Sequence, residues 1–269
     1  MTTNEHNRRG AMAVMAGLTA TAAATDAIGS AQAQAAPRTF VLVHGSWHGG
    51  WCWSRVARIL RKHGHEVYAP TLTGLGERSH LMSGLITLDT HITDVVSVIK
   101  WENLDNIVLV GHSYAGFVIS GVAERASSAI SSIVFLDAFL PENGQRVVDL
   151  SPPELRATSL AAAAKNEVSR PVPPARAFGV NEKDQAWVDS KTTPQPTLVS
   201  MQPIVLTGAR EKIGKKAYIR ATSYPNPRFD EHLAKLKGDQ AWRTFGVPCG
   251  HDVMVDMPEK LADILMEVA

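Results

Sequence analysis

Cysteine is nearly absent: the 269 residues contain two, Cys52 and Cys249, far apart and outside any C-x-x-C unit. That argues against zinc ribbons and thiol-redox motifs. Two buried free thiols are the expected state, with a bridge between them as the alternative. Charge of one sign is also lacking, with 27 basic against 26 acidic side chains and a net charge of +1. No field exists to recruit a polyanion, so nucleic acid is not an expected partner. The lysines and arginines are scattered, as on a solvated surface. Past residue 35 no apolar run is long enough to span a bilayer, so stable membrane insertion is not expected either. Internal repeats and linkers are missing too, which leaves one domain.

The N-terminus has the composition of an address. Arg8-Arg9 precede a mild apolar stretch, Ala11 to Ala24, and A-x-A sites follow at Ala31-Gln32-Ala33 and Ala33-Gln34-Ala35. This resembles a twin-arginine export signal, which implies a periplasmic or secreted protein. A plain alanine-rich tail is the alternative. Thr19, Thr21, Thr25 and Asp26 make the stretch too polar for a membrane span. Residues 1–35 are therefore set apart from a domain at 36–269.

From Pro37 onward, buried-type strands alternate with amphipathic helices. The runs Thr39–Val43, Asn106–Val110 and Ser132–Leu136 are continuous and rich in branched residues, as strands covered on both faces are. Trp51–His63 carries a helical apolar face and ends at Gly64. Glu66–Ala69 is a short strand stopped by Pro70, and Asp89–Lys100 and Tyr114–Arg125 are helices. The alternation predicts an α/β fold with a mostly parallel sheet flanked by helices. Residues 141–215 break the period with most of the prolines and one alanine-rich helix near Leu155–Lys165, which predicts an inserted helical cap. Lys216–Ala221 and Ala241–Val247 return as strands, and Met257–Val268 closes as a helix with Pro258 near its start.

The chemistry-bearing motif is Gly111-His112-Ser113-Tyr114-Ala115-Gly116, placed where a buried strand gives way to a helix. That setting suits a nucleophile held on a tight turn with its hydroxyl exposed. The pattern is relaxed, since Ala115 stands where the strict motif has a second glycine, so the strand–turn–helix context carries the weight. His44-Gly45-Ser46-Trp47 follows the first strand, where such a turn supplies an oxyanion donor. The two donors are expected to be the backbone N–H groups of Ser46 and Tyr114, each worth about 3 kcal/mol of barrier. His251, in Pro248-Cys249-Gly250-His251-Asp252 after the last strand, is the expected general base, because histidine ordinarily titrates near neutrality. His44, His48, His80, His91 and His112 fit structural or pocket-lining roles.

By these residues the chain resembles the α/β-hydrolase superfamily, and within it the hydroxynitrile lyase and plant methylesterase-like branch, as a bacterial esterase member. The likeness runs from about Thr39 to the C-terminus. It rests on the stretch from Phe40 to Trp53, on Gly74-Leu75-Gly76-Glu77-Arg78-Ser79, on Gly111-His112-Ser113 and on Gly250-His251. It implies an α/β-hydrolase fold, a helical cap, no cofactor or metal, and turnover of small esters. Relatives in that branch carry the triad aspartate just after the strand corresponding to Lys216–Ala221. Here Thr222-Ser223-Tyr224-Pro225 follows, with no carboxylate until Asp230. Asp137, at the end of the preceding strand, occupies the place of the acid in haloalkane dehalogenases, and is favoured over Asp230.

The expected function is cleavage of small carboxylic esters through an acyl-enzyme, with amides or carbamates as alternative substrates. Phe178 and Trp187 suggest an apolar acyl or aromatic pocket. A hydroxynitrile lyase is less consistent: lyases have threonine where Gly45 stands and lysine where Asp252 stands. A non-catalytic ligand-binding protein is the remaining alternative. The expected partner is a small-molecule ester, and self-association as a homo-oligomer is compatible with the composition.

Overall fold

The structure, a computed structural model, describes residues 36–269. The export segment expected at 1–35 lies outside the described residues.

Six strands form one sheet: β1 (Thr39–Val43), β2 (Glu66–Tyr68), β3 (Ile107–His112), β4 (Ile130–Leu136), β7 (Lys215–Ala221) and β8 (Trp242–Val247). Every pairing between them is parallel, and their order is β2-β1-β3-β4-β7-β8. Successive side chains of a strand point to opposite faces, and both faces are covered. Val41, Leu109, Ile133 and Tyr218 share a core with the helices α2 (Leu88–Trp101), α3 (Ala115–Ala126) and α7 (Pro227–Lys237). Phe40, Leu42, Val108, Val134 and Ile219 pack instead with α1 (Ser54–Lys62), α8 (Val253–Asp256) and α9 (Pro258–Val268). Double coverage is why these strands read as unbroken apolar runs, each fully buried Val, Ile or Leu contributing about 1.5–3 kcal/mol.

The observed elements extend or shift the expected ones by a residue or two. β3 continues through Gly111 and His112, and β4 begins at Ile130. Helix α7 has no counterpart in the periodicity reading. Its start is nonetheless written in the chain: Asn226 accepts hydrogen bonds from the N–H groups of Arg228 and Phe229, and Pro227 takes the first helical position.

Between β4 and β7 the chain makes α4 (Val147–Leu150), α5 (Pro153–Ala164) and α6 (Glu182–Asp189). A two-stranded antiparallel pair joins β5 (Ser169–Arg170) to β6 (Gln195–Pro196). A bidentate ion pair ties this segment to the body: Arg55 of α1 holds Asp184 of α6 at 2.9 and 2.6 Å. Among the described residues no helix is long and apolar enough to cross a membrane. Cys52 and Cys249 are both free thiols.

Candidate active site

The C-terminal ends of β1, β3, β4, β7 and β8 converge on one small cavity, the usual place for chemistry in an open parallel sheet. Ser113 follows β3 directly and has φ 56, a left-handed conformation that costs a non-glycine residue about 1–3 kcal/mol. The turn is pinned on three sides. Ser113 N–H donates to Leu136 O (3.1 Å), and Ser113 O accepts from Gly116 and Phe139 N–H (3.1 and 3.2 Å). A Cβ at Gly116 would sit 1.9 Å from Phe139 O, so this is the position that must be glycine. Ala115, one residue earlier, is simply buried. The close backbone approach that a strict motif assigns to its second glycine falls here one place further on.

Ser113, His251 and Asp137 lie in one chain of hydrogen bonds. His251 Nε2 is 2.8 Å from Ser113 Oγ, and Nδ1 is 2.6 Å from Asp137 Oδ2. Asp137 is fully buried. Its other oxygen accepts from Arg220 Nη1 (2.8 Å) and the Ala221 N–H (3.0 Å), so its orientation is fixed from both sides. Asp230 takes a different place. Its side chain is 63% exposed and accepts from Arg220 Nε at 2.9 Å, with the guanidinium between it and Asp137. It makes no hydrogen bond to His251.

Further contacts hold the imidazole. The backbone N–H of His251 donates to Phe178 O at 2.8 Å. The His251 carbonyl accepts from His112 Nε2 at 3.0 Å, and the two rings lie 4.4 Å apart. Burial drives His112 well below the ordinary histidine value, so it is neutral. With its proton on Nε2, His112 Nδ1 is left buried and without a partner.

The turn after β1 is built by two histidines in contrasting hydrogen-bond settings. His44 Nε2 accepts from the Leu72 N–H (3.0 Å), so its proton is on Nδ1, which donates to Gly45 O (2.8 Å). Burial pushes His44 down to about 3 and keeps it neutral. His48 faces acceptors on both sides, Ser46 O at 2.8 Å and the Asp252 carboxylate at 2.9 Å. Burial opposes its charge, but the charge and hydrogen bond of Asp252, with the Ser46 carbonyl, together outweigh that and His48 is raised. The carbonyls of Gly45 and Ser46 are thereby tied up. The N–H groups of Ser46 and Tyr114 donate to no group among the described residues, and both adjoin Ser113. Tyr114 is buried with its hydroxyl on His91 Nδ1 (3.0 Å), so its side chain points away from the reacting atoms.

The cavity measures about 50 Å³, and Ser46, Trp47, Ser113, Leu155, Phe178 and His251 are among its lining residues. Phe178 is where the sequence suggested, on the pocket wall. Trp187 is not: it packs edge-on to Trp51 at 5.1 Å and beneath Arg55. None of His44, His48, His80, His91 and His112 lines the cavity. Arg170 and Arg220 are site residues that sequence reading missed, because nothing marks a buried arginine among 27 basic side chains.

Known proteins share sequence and fold with this chain. The model of a family described as the alpha/beta hydrolase family matches residues 40–264. A carbendazim hydrolyzing esterase from Nocardioides sp. (strain SG-4G) is 44% identical over 237 residues, 84% of this chain and 97% of that protein. Methylesterase 1 of Arabidopsis thaliana is 36% identical over 105 residues, 38% of this chain and 40% of that protein. Among solved structures, an extracellular alpha/beta-hydrolase from a Paenibacillus species superposes with a TM-score of 0.76. It is 27% identical and covers 87% of this chain and 99% of its own.

Proposed function

We propose, from the premise that this chain belongs to the α/β-hydrolase family, that it cleaves small carboxylic esters with Ser113 as nucleophile, His251 as general base and Asp137 as the triad acid. The observation that carries this is the unbroken relay Ser113 Oγ–His251–Asp137 at 2.8 and 2.6 Å.

In the first half-reaction the Ser113 oxygen bonds to the ester carbonyl carbon while its proton passes to His251 Nε2. The negative carbonyl oxygen is held by the free N–H groups of Ser46 and Tyr114, each worth about 3 kcal/mol of barrier. Collapse breaks the bond to the alcohol oxygen, which leaves with the proton from His251. Water then attacks the acyl-enzyme, gives its proton to His251, and the carboxylic acid departs as that proton returns to Ser113. Asp137 keeps the imidazole in the tautomer with its proton on Nδ1 and stabilises the imidazolium. The 141–215 segment acts as a cap, with Leu155 and Phe178 closing the pocket.

The named activity of the carbendazim hydrolyzing esterase supports carbendazim as a further candidate substrate. Cyanohydrin cleavage is disfavoured by two features. A Cβ at Gly45 would come within 2.9 Å of His112 Nδ1, and the Asp252 side chain is buried against His48 instead of facing the cavity. The N-terminal composition supports export to the periplasm or medium, with processing after Ala33 or Ala35. N-terminal sequencing of exported protein tests that reading.

A panel of short methyl and aryl esters, with carbendazim and matched amides, tests the function. A pre-steady-state burst of aryl alcohol, equal to the enzyme concentration, is expected whenever deacylation limits turnover. Faster release of cyanide from mandelonitrile than of alcohol from any ester would reverse the assignment.

A further inference from the structure

Three arginines are buried among the described residues: Arg170, Arg210 and Arg220. Arg210 pairs with Glu211, and Arg220 pairs with Asp137 and Asp230. Arg170 has no carboxylate. It is 5% exposed, sits in the wall of the cavity that holds Ser113 and His251, and donates only to the hydroxyls of Ser159 (2.7 Å) and Ser200 (2.9 Å). The face of Trp47, 5.6 Å from the guanidinium carbon, is its other support. Two neutral hydroxyls and a ring compensate a desolvated cation less well than an anion would. Burial pushes the Arg170 guanidinium down to about 10, so it remains charged at neutral pH.

Donors near it are unpaired as well. Arg170 Nε, Trp47 Nε1 and Gln195 Nε2 are buried donors with no partner. They belong to neighbouring groups. Arg170 and Gln195 face each other across the β5–β6 pair, and Gln195 Oε1 takes the Trp47 N–H at 2.8 Å, which leaves its NH2 uncommitted. Trp47 itself has φ 64 and directly follows Ser46, so this group abuts the turn that carries an oxyanion donor. A buried cation with no carboxylate partner, in the wall of a substrate cavity, is complementary to a compact anion.

We infer that Arg170, seated on Trp47, forms a recognition site for a carboxylate carried on the substrate, so that the preferred substrates are short esters bearing a free carboxylate. This rests on the ester-hydrolase reading above. The structural alternative is that Arg170 is only a strut joining α5 to the turn at Ser200.

The test compares kcat/KM for monomethyl succinate against its uncharged isostere methyl isocaproate, and for O-acetylglycolate against isobutyl acetate. The two pairs place the carboxylate on the acyl and the alcohol side. In wild type at least one anionic ester should be preferred. In Arg170→Met that anionic-to-neutral ratio should fall by about 100-fold, whichever way the absolute rates move, and Arg170→Lys should retain most of it. The Ser159→Ala/Ser200→Ala variant, which removes the strut and keeps the cation, should keep the ratio. Equal ratios in wild type and Arg170→Met, or preference for the uncharged ester in both pairs, would overturn the inference. Calorimetric binding of monomethyl succinate to Ser113→Ala separates the two readings. Binding that needs Arg170, in a protein that hydrolyses no ester, would sink the function and keep the site; turnover without charge preference would do the reverse.

Discussion

At the scale of single residues, the site divides into groups that react and groups that hold them. Asp137 Oδ2 faces His251, while Oδ1 is occupied by Arg220 and the Ala221 N–H. Asp137→Asn should therefore lower kcat by about 10³–10⁴-fold, since an amide favours the wrong imidazole tautomer. Asp230→Asn, at an exposed carboxylate outside the relay, should change kcat by less than about threefold. Steady-state kinetics on one ester with both variants decides between them. The His48–Asp252 pair makes a separate prediction about stability. Burial alone would raise Asp252, but the charge and hydrogen bond of His48, with His112 and His251 nearby, together outweigh it and hold the carboxyl at about 2. Its contribution is complete above the unfolded value near ~4 and is lost as pH falls toward 2. His48 is raised, so its contribution is complete below ~6.5 and is lost as pH climbs through its folded value. The melting-temperature gap between wild type and Asp252→Asn should be widest between about pH 4 and 6.5 and narrow on both sides. A gap that does not vary from pH 3 to 9 would show that the two groups are not an ion pair.

At the scale of elements, strands and site residues differed in how plainly the chain displays them. β1, β3 and β4 are covered by helices on both faces, so every residue position reports burial and the runs are unmistakable. Helix α7 was hidden because only Phe229 and Leu236 are buried in its eleven residues, too thin a stripe for periodicity to register. Ser113 and His251, whose side chains meet at 2.8 Å, are marked in the sequence by chain order and the strand ends they follow. The choice of Asp137 over Asp230 rested on a strand end alone, and the guanidinium separating the two carboxylates belongs to tertiary structure. The glycine of the elbow shows the same limit. The motif locates it at position 115, whereas the packing of α3 on Phe139 requires it at 116. Ala115→Gly should cost about 1 kcal/mol or less. Gly116→Ala forces Phe139 backbone away from the elbow and should cost several-fold more, about 3 kcal/mol, together with most activity. Chemical denaturation and ester turnover measured on both variants test the pair.

At the scale of the molecule, one parallel sheet gathers the ends of β1, β3, β4, β7 and β8 at a cavity, and Val147, Leu155, Arg170 and Phe178, from the segment between β4 and β7, help to line it. The segment is joined to the sheet through the site itself: Gln195 of β6 holds Trp47 in the turn after β1, and Phe178 O holds the His251 backbone. Changes in this segment should therefore alter kcat as well as KM. The most direct measurement is labelling with a fluorophosphonate, followed by intact mass and peptide mapping. One adduct per chain on Ser113, abolished together with ester turnover in Ser113→Ala, is the expected result. An adduct on another residue, or undiminished turnover in Ser113→Ala, would contradict the assignment of Ser113 as the nucleophile.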